Sequence, residues 1–139
     1  VYAGDNFGIC YREFDTASGP FMLPTTTPVH FEPDVLHRTI DRLLSYHPRR
    51  IVQTHFGPVY DLDRLARDLH ADLDALVAMG QRHRDAPDRT QRIQHDMFEH
   101  FNARLDAHGY AGSLARRHEF LDEDVNLNTQ GLEVWLSRQ

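Results

Sequence analysis

Two positions in this chain end a short β-prone run with a side chain able to bind a metal ion. Asp5 follows Val1-Tyr2-Ala3-Gly4 and leads into Asn6-Phe7-Gly8, and His55 follows Ile51-Val52-Gln53-Thr54 and leads into Phe56-Gly57-Pro58. A carboxylate and an imidazole fixed at strand ends offer oxygen and nitrogen donors of the kind that hard-to-borderline divalent ions take. The plainer reading of Asp5 is a turn residue bonded to its own backbone, which Asp does often. For His55 the plainer reading is a histidine hydrogen-bonded near a core.

The elements that would position these side chains follow from periodicity and breakers. Residues 1–3 and 50–54 are expected strands. Residues 6–28 are an irregular connector with Gly8, Gly19, Pro20, Pro24 and Pro28, whose Phe7, Tyr11, Phe14 and Phe21 suggest an ordered loop that packs on something. Pro33 in a first turn starts a helix over 33–46, with Leu36, Ile40, Leu43 and Leu44 at helical spacing, and Pro48 ends it. Asp61 is the expected N-cap of a second helix carrying Leu62, Leu65, Leu69, Leu73, Leu76 and Val77. Strand, helix, strand and helix in that order read as α/β. The stretch Asp85-Ala86-Pro87-Asp88 reads as a hinge, so the expected domains are 1–84 and a helical extension, 85–139. In the extension Ile93, Met97, Phe101 and Leu105 align over 89–107, and Gly109 stops that helix. A last helical region aligns Leu121, Val125, Leu132, Trp135 and Leu136, with Gly131 as its weak point.

Taken in order, the Gly4-Asp5 and Thr54-His55 elements resemble the second half of the metallo-β-lactamase-fold hydrolases, over roughly residues 1–80. The resemblance implies the C-terminal half of an αββα sandwich followed by the helical extension. It implies that Asp5 bridges two divalent ions, zinc before iron or manganese, and that His55 holds the second. The implied reaction is hydrolysis of a small ester, thioester or amide through a metal-bound water, as in hydroxyacylglutathione hydrolases. Tyr11 and Arg12, on the loop after Asp5, become candidates for substrate contact. The family's upstream His-x-His-x-Asp-His cluster has no counterpart among the ten histidines. The chain also opens at Val1 in a strand-like run, so the expectation is a C-terminal portion whose partner is the missing N-terminal half, inactive alone. Strand edges without that half are expected to drive homo-oligomers, at least dimers. The competing reading is a non-catalytic helical interaction or dimerisation module, built on Phe98, Phe101, Trp135 and Leu136.

Composition narrows the field further. At 139 residues there is enough chain for one domain with a core. A formal charge of −6 disfavours nucleic acid and anionic membrane as partners, since both require a basic face. Arg49-Arg50 and Arg116-Arg117 read as solvated helix ends. The single cysteine, Cys10, makes no internal disulfide, which suits a reducing cytoplasmic setting. It also has no neighbouring His or Lys to activate it. His95 with Glu99 and Asp96 with His100 stand at i, i+4, a spacing also found in metal-binding helices, but each reads as a solvated helix face. No Ser-His-Asp order can be defended.

Overall fold

The computed structural model describes residues 1–26 and 30–139, so Thr27 and Pro28 of the expected connector lie outside the described residues. The chain divides into two compact units. The first comprises Val1–Thr25 and Glu32–Asp74, the second Thr26–Phe31 and Ala75–Gln139.

The first unit holds a three-stranded sheet in the order β1 (Tyr2–Gly4), β2 (Ile51–Gln53), β3 (Pro58–Val59). β1 and β2 are parallel, with an irregularity between Tyr2 and Gly4, and β2 and β3 form an antiparallel hairpin. A parallel pair needs a long crossover, and residues 5–50 provide it, ending in helix α1 (Pro33–Ser45). Pro33 begins α1, where a missing N–H costs nothing. Of its stripe Ile40 is buried and Leu36, Leu43 and Leu44 are half-buried. The connector packs inward as its aromatics suggest: Phe7, Phe14 and Phe21 are at most 1% exposed. Ile9 and Leu23 exchange two backbone hydrogen bonds of 2.9 Å, which closes the connector into a loop. Gly8 has a φ of 65°, and a Cβ there would sit 2.4 Å from the Leu23 carbonyl oxygen, so only glycine fits. Helix α2 (Leu62–Arg82) adds its first turns, through Asp74, to this unit and buries Leu65, Leu69 and Leu73. The mixed α/β class follows directly. β3 was not anticipated: two residues beginning with proline carry no alternating pattern, and proline is tolerated because β3 is an edge strand.

In the second unit α3 (Arg89–His108) and α4 (Leu114–Ser137) form a helical hairpin. Gly109, at φ 84°, gives α3 a left-handed cap, and the Ser113 side chain accepts the Arg116 N–H to start α4. Ile93, Met97, Phe101 and Leu105 of α3 and Leu121 and Leu132 of α4 are fully buried. Gly131 is not a weak point; α4 runs unbroken through it. A Cβ there would lie 2.5 Å from Thr26 Oγ1, so the glycine admits a close approach. Thr26 donates its N–H to Asn128 Oδ1 at 2.8 Å and its hydroxyl to the Asn128 carbonyl at 3.0 Å. Arg117 is likewise not a solvated helix end. It is 8% exposed and donates to the carbonyls of Asn102, Tyr110 and Gly112 and to the Asn102 and Asp106 side chains. Among the described residues no helix is long and apolar enough to cross a membrane.

Candidate functional site

The parallel pairing of β1 and β2 carries the geometry. The Thr54 N–H donates to the Gly4 carbonyl at 3.3 Å, so Asp5 and His55 each follow directly on a residue of one inter-strand hydrogen bond. Both lie beyond the C-terminal ends of adjacent parallel strands, where α/β sheets gather ligands. Both residues are exposed.

The Asp5 turn is held by its backbone. Gly4 takes a φ of 60°, with only Thr54 Oγ1 within reach of a Cβ, at 3.9 Å, so conformation rather than space calls for glycine. The Asn6 N–H and side-chain amide both donate to the Ala3 carbonyl, at 3.2 and 3.1 Å. The Asp5 carbonyl accepts the Gly8 N–H at 3.2 Å and the Thr25 hydroxyl at 2.7 Å.

The His55 turn is strained. Phe56 has a φ of 73° and Gly57 a φ of 83°, a left-handed pair that costs a non-glycine residue about 1–3 kcal/mol. Arg12 stabilises it: Nε and Nη2 donate to the Phe56 carbonyl at 3.1 and 2.8 Å, and Nη2 also donates to the Pro58 carbonyl at 2.8 Å. The Tyr11 ring packs on Phe56 at 4.8 Å between centroids. Thus Tyr11 and Arg12 both lie against the turn that presents His55, and the guanidinium of Arg12 is committed largely to backbone carbonyls.

Gln53 belongs to this assembly and escaped sequence reasoning. It is 3% exposed, and its amide donates to the Phe7 and Gly8 carbonyls at 2.9 and 2.8 Å, which ties the loop after Asp5 to β2. Among the described residues its Oε1 has no hydrogen-bond partner, a deficit that costs about 1–3 kcal/mol. The available signal was a polar residue closing the apolar run Ile51-Val52. Cys10 is fully buried, and burial pushes its thiol up to about 11, which removes it as a nucleophile.

Three further groups carry histidine. On α1 and α2, His37 and His70 bring their Nδ1 atoms within 2.6 Å of one another, with Asp74 and Asp41 on their Nε2 atoms. In the second unit His83 bonds Asp96 at 2.7 Å, so Asp96 pairs with His83 rather than facing solvent beside His100. A groove of about 460 Å³ there is lined by His95, Glu99, Phe98, Leu114, His118 and Asp122, among others. His118 stacks on Phe98 and bonds Asp122 at 2.8 Å. Among the described residues no three His, Cys, Asp or Glu side chains are grouped to hold a metal ion. The strand-end turns therefore offer two donors, one carboxylate and one imidazole, which is the right chemistry for part of a metal centre and too few for a whole one.

No protein-family model, no curated protein and no solved structure matches this chain.

Proposed function

We propose that the first unit contributes part of the metal centre of a hydrolase of the metallo-β-lactamase type. Its substrate is a small ester, thioester or amide. One observation supports the reading: the Thr54-to-Gly4 hydrogen bond joins the residues that immediately precede His55 and Asp5 at the ends of parallel strands. Asp5 would bridge two divalent ions and His55 would hold one, zinc by preference, with iron or manganese as the alternatives. When bound, such ions supply Lewis acidity and an activated water. Each ion needs more donors than the described residues group together, so this reading requires the remaining ligands to be supplied by other polypeptide. On this reading the sheet, α1 and the start of α2 form the C-terminal half of an αββα sandwich, and residues 85–139 are a helical extension.

The chain's own residues do the positioning. Arg12 holds the carbonyls of the His55 turn, and Thr25 and Gln53 fix the loop around Asp5. Tyr11, half-buried against Phe56, is the better placed of the two substrate-contact candidates. The lone buried cysteine fits a reducing cytoplasmic setting.

In a polypeptide that carries the remaining ligands, Asp5→Ala and His55→Ala should each lower turnover of a chromogenic ester or thioester at least a hundredfold. His95→Ala and His100→Ala should leave it intact. Equal sensitivity at all four positions overturns the assignment, as does chelator-resistant turnover by this chain alone. A second reading, a helical association module, loses the residues it was expected to use, because Phe98, Phe101, Trp135 and Leu136 are buried within the chain; what favours it is Leu114 and Leu127, 57% and 41% exposed on α4. Sedimentation over a concentration series tests it, and a monodisperse monomer rejects it.

A further inference from the structure

Phe56 is the residue whose backbone is hardest to explain by packing. Among the described residues two that are not glycine have positive φ, His47 at 49° and Phe56 at 73°. Histidine is enriched in that left-handed region, whereas a bulky ring there is an outlier. Gly57 follows at φ 83°, and two successive left-handed positions are ordinarily filled by Asn-Gly or Gly-Gly. A phenylalanine in place of that Asn sacrifices stability. Burial returns only part of it, because Phe56, at 40%, is the one exposed residue among the eight phenylalanines.

The surroundings hold this ring in place without covering it. Arg12 donates to the Phe56 and Pro58 carbonyls and so fixes the backbone from which the ring projects. The Tyr11 ring lies 4.8 Å from that of Phe56, tilted by 56°. Tyr11 is itself set edge-on to the fully buried Phe14 at 5.8 Å. The His55 ring stands 6.2 Å from Phe56. Phe56 and Tyr11 thus form a shelf that is anchored in the core of the first unit through Phe14 and reaches solvent beside His55. Such a shelf selects for rings. Offset and edge-to-face contacts favour an arene over a saturated group of similar size by about two- to tenfold in affinity.

We propose that Phe56 and Tyr11 bind an aryl group of the substrate, so that the ester, thioester or amide hydrolysed at Asp5 and His55 carries an aromatic ring near its scissile bond. The reaction in this proposal rests on the metal-centre reading; the ring rests on the Phe56 geometry. Phe56 determines specificity and takes no part in bond cleavage.

The first test reads binding and stability in the chain as it stands, with no metal added, so a failed metal centre leaves it intact. Two neutral, unreactive probes are titrated and followed by heteronuclear NMR: N-benzylacetamide and its saturated counterpart, N-(cyclohexylmethyl)acetamide. The benzyl probe should shift the amides of Tyr11, His55, Phe56 and Gly57 and bind about two- to tenfold more tightly. Phe56→Asn should abolish that preference without lowering the melting temperature, since Asn tolerates the left-handed region. Phe56→Tyr should retain the preference. In a polypeptide that carries the remaining ligands, Phe56→Asn should lower kcat/KM for a phenyl-bearing ester relative to a cyclohexyl one by the same factor. Asp5→Ala should lower both alike, so an inert Asp5→Ala beside a working shelf condemns the metal centre alone. Equal binding of the two probes, a preference that survives Phe56→Asn, or a melting temperature lowered by more than about 4 °C in that variant overturns the shelf. A kcat/KM ratio indifferent to Phe56→Asn overturns the substrate assignment.

Discussion

Arg12 in the first unit and Arg117 in the second both donate to loop carbonyls, yet they serve those loops differently. Arg117 is 8% exposed, and its guanidinium bonds three carbonyls and two side chains around the α3–α4 turn. Arg12 is exposed and spends its bonds on a turn whose Phe56 is left-handed without being glycine. In the second unit the polar groups of this turn serve the fold. In the first, the fold supports backbone strain, a Gln53 oxygen without a partner among the described residues, and two outward candidate ligands. Strain that persists because its surroundings hold it is a pointer to function, which is why the strand-end turns, rather than the histidine-lined groove of the second unit, carry the functional reading.

The sharpest way to break this contrast is to remove Arg117. Arg117→Ala strands the carbonyls of Asn102, Tyr110 and Gly112, and the expected loss of stability is about 3–5 kcal/mol, read from urea denaturation. Asp106 contributes little to that figure because its side chain is 66% exposed. Arg117→Lys should recover only part of the loss, since an ammonium cannot reproduce the planar fork. A loss below about 1 kcal/mol would make Arg117 an ordinary surface arginine and erase the distinction.

A smaller effect sharpens the other side. Arg12→Ala should cost about 1 kcal/mol, a melting shift of about 2–4 °C. Locally it should do far more. Amide exchange at Gln53, whose N–H donates to the Gly57 carbonyl at 3.3 Å, should accelerate at least tenfold. If Arg12→Ala were as destabilising as Arg117→Ala, the His55 turn would belong to the core and its strain would need no functional explanation.

What the sequence disclosed follows the range over which its signals act. Helix α1 was readable because Pro33 and the stripe from Leu36 to Leu44 all lie within thirteen residues. The Asp5 and His55 turns were readable because glycine marks each within three positions. Gly131 was misread because its reason is Thr26, more than a hundred positions away, and a contact at that range leaves no periodic trace. Arg117 beside Arg116 looked like solvated charge, since nothing local shows that the α3–α4 turn folds over it. The quartet of His37, Asp41, His70 and Asp74 was missed for a related reason. Each His-x-x-x-Asp alone is an unremarkable helix face, and only the packing of two such faces brings the nitrogens together.

The smallest expected effect concerns pH, and it tests whether the second unit's ion pairs are as structural as its buried arginine. Asp96 lies below the ordinary carboxylate range, chiefly through its hydrogen bond from His83 and then through the charges of His83, Arg82 and His95. At Glu133 burial pushes upward, but hydrogen bonds from Arg89 and Thr90 outweigh it and the net direction is again down. A carboxylate depressed in the folded state stabilises the fold while ionised. That contribution is complete above the ordinary value near pH 4 and is lost as pH falls through the folded value. Acidification below about pH 4 should therefore lower the urea midpoint reported by Trp135, the chain's one tryptophan. Asp96→Asn should flatten that acid limb, and Glu133→Gln should flatten it further, because the two carboxylates have different partners and their effects should add. An acid limb identical in all three proteins would mean that these pairs contribute nothing in solution.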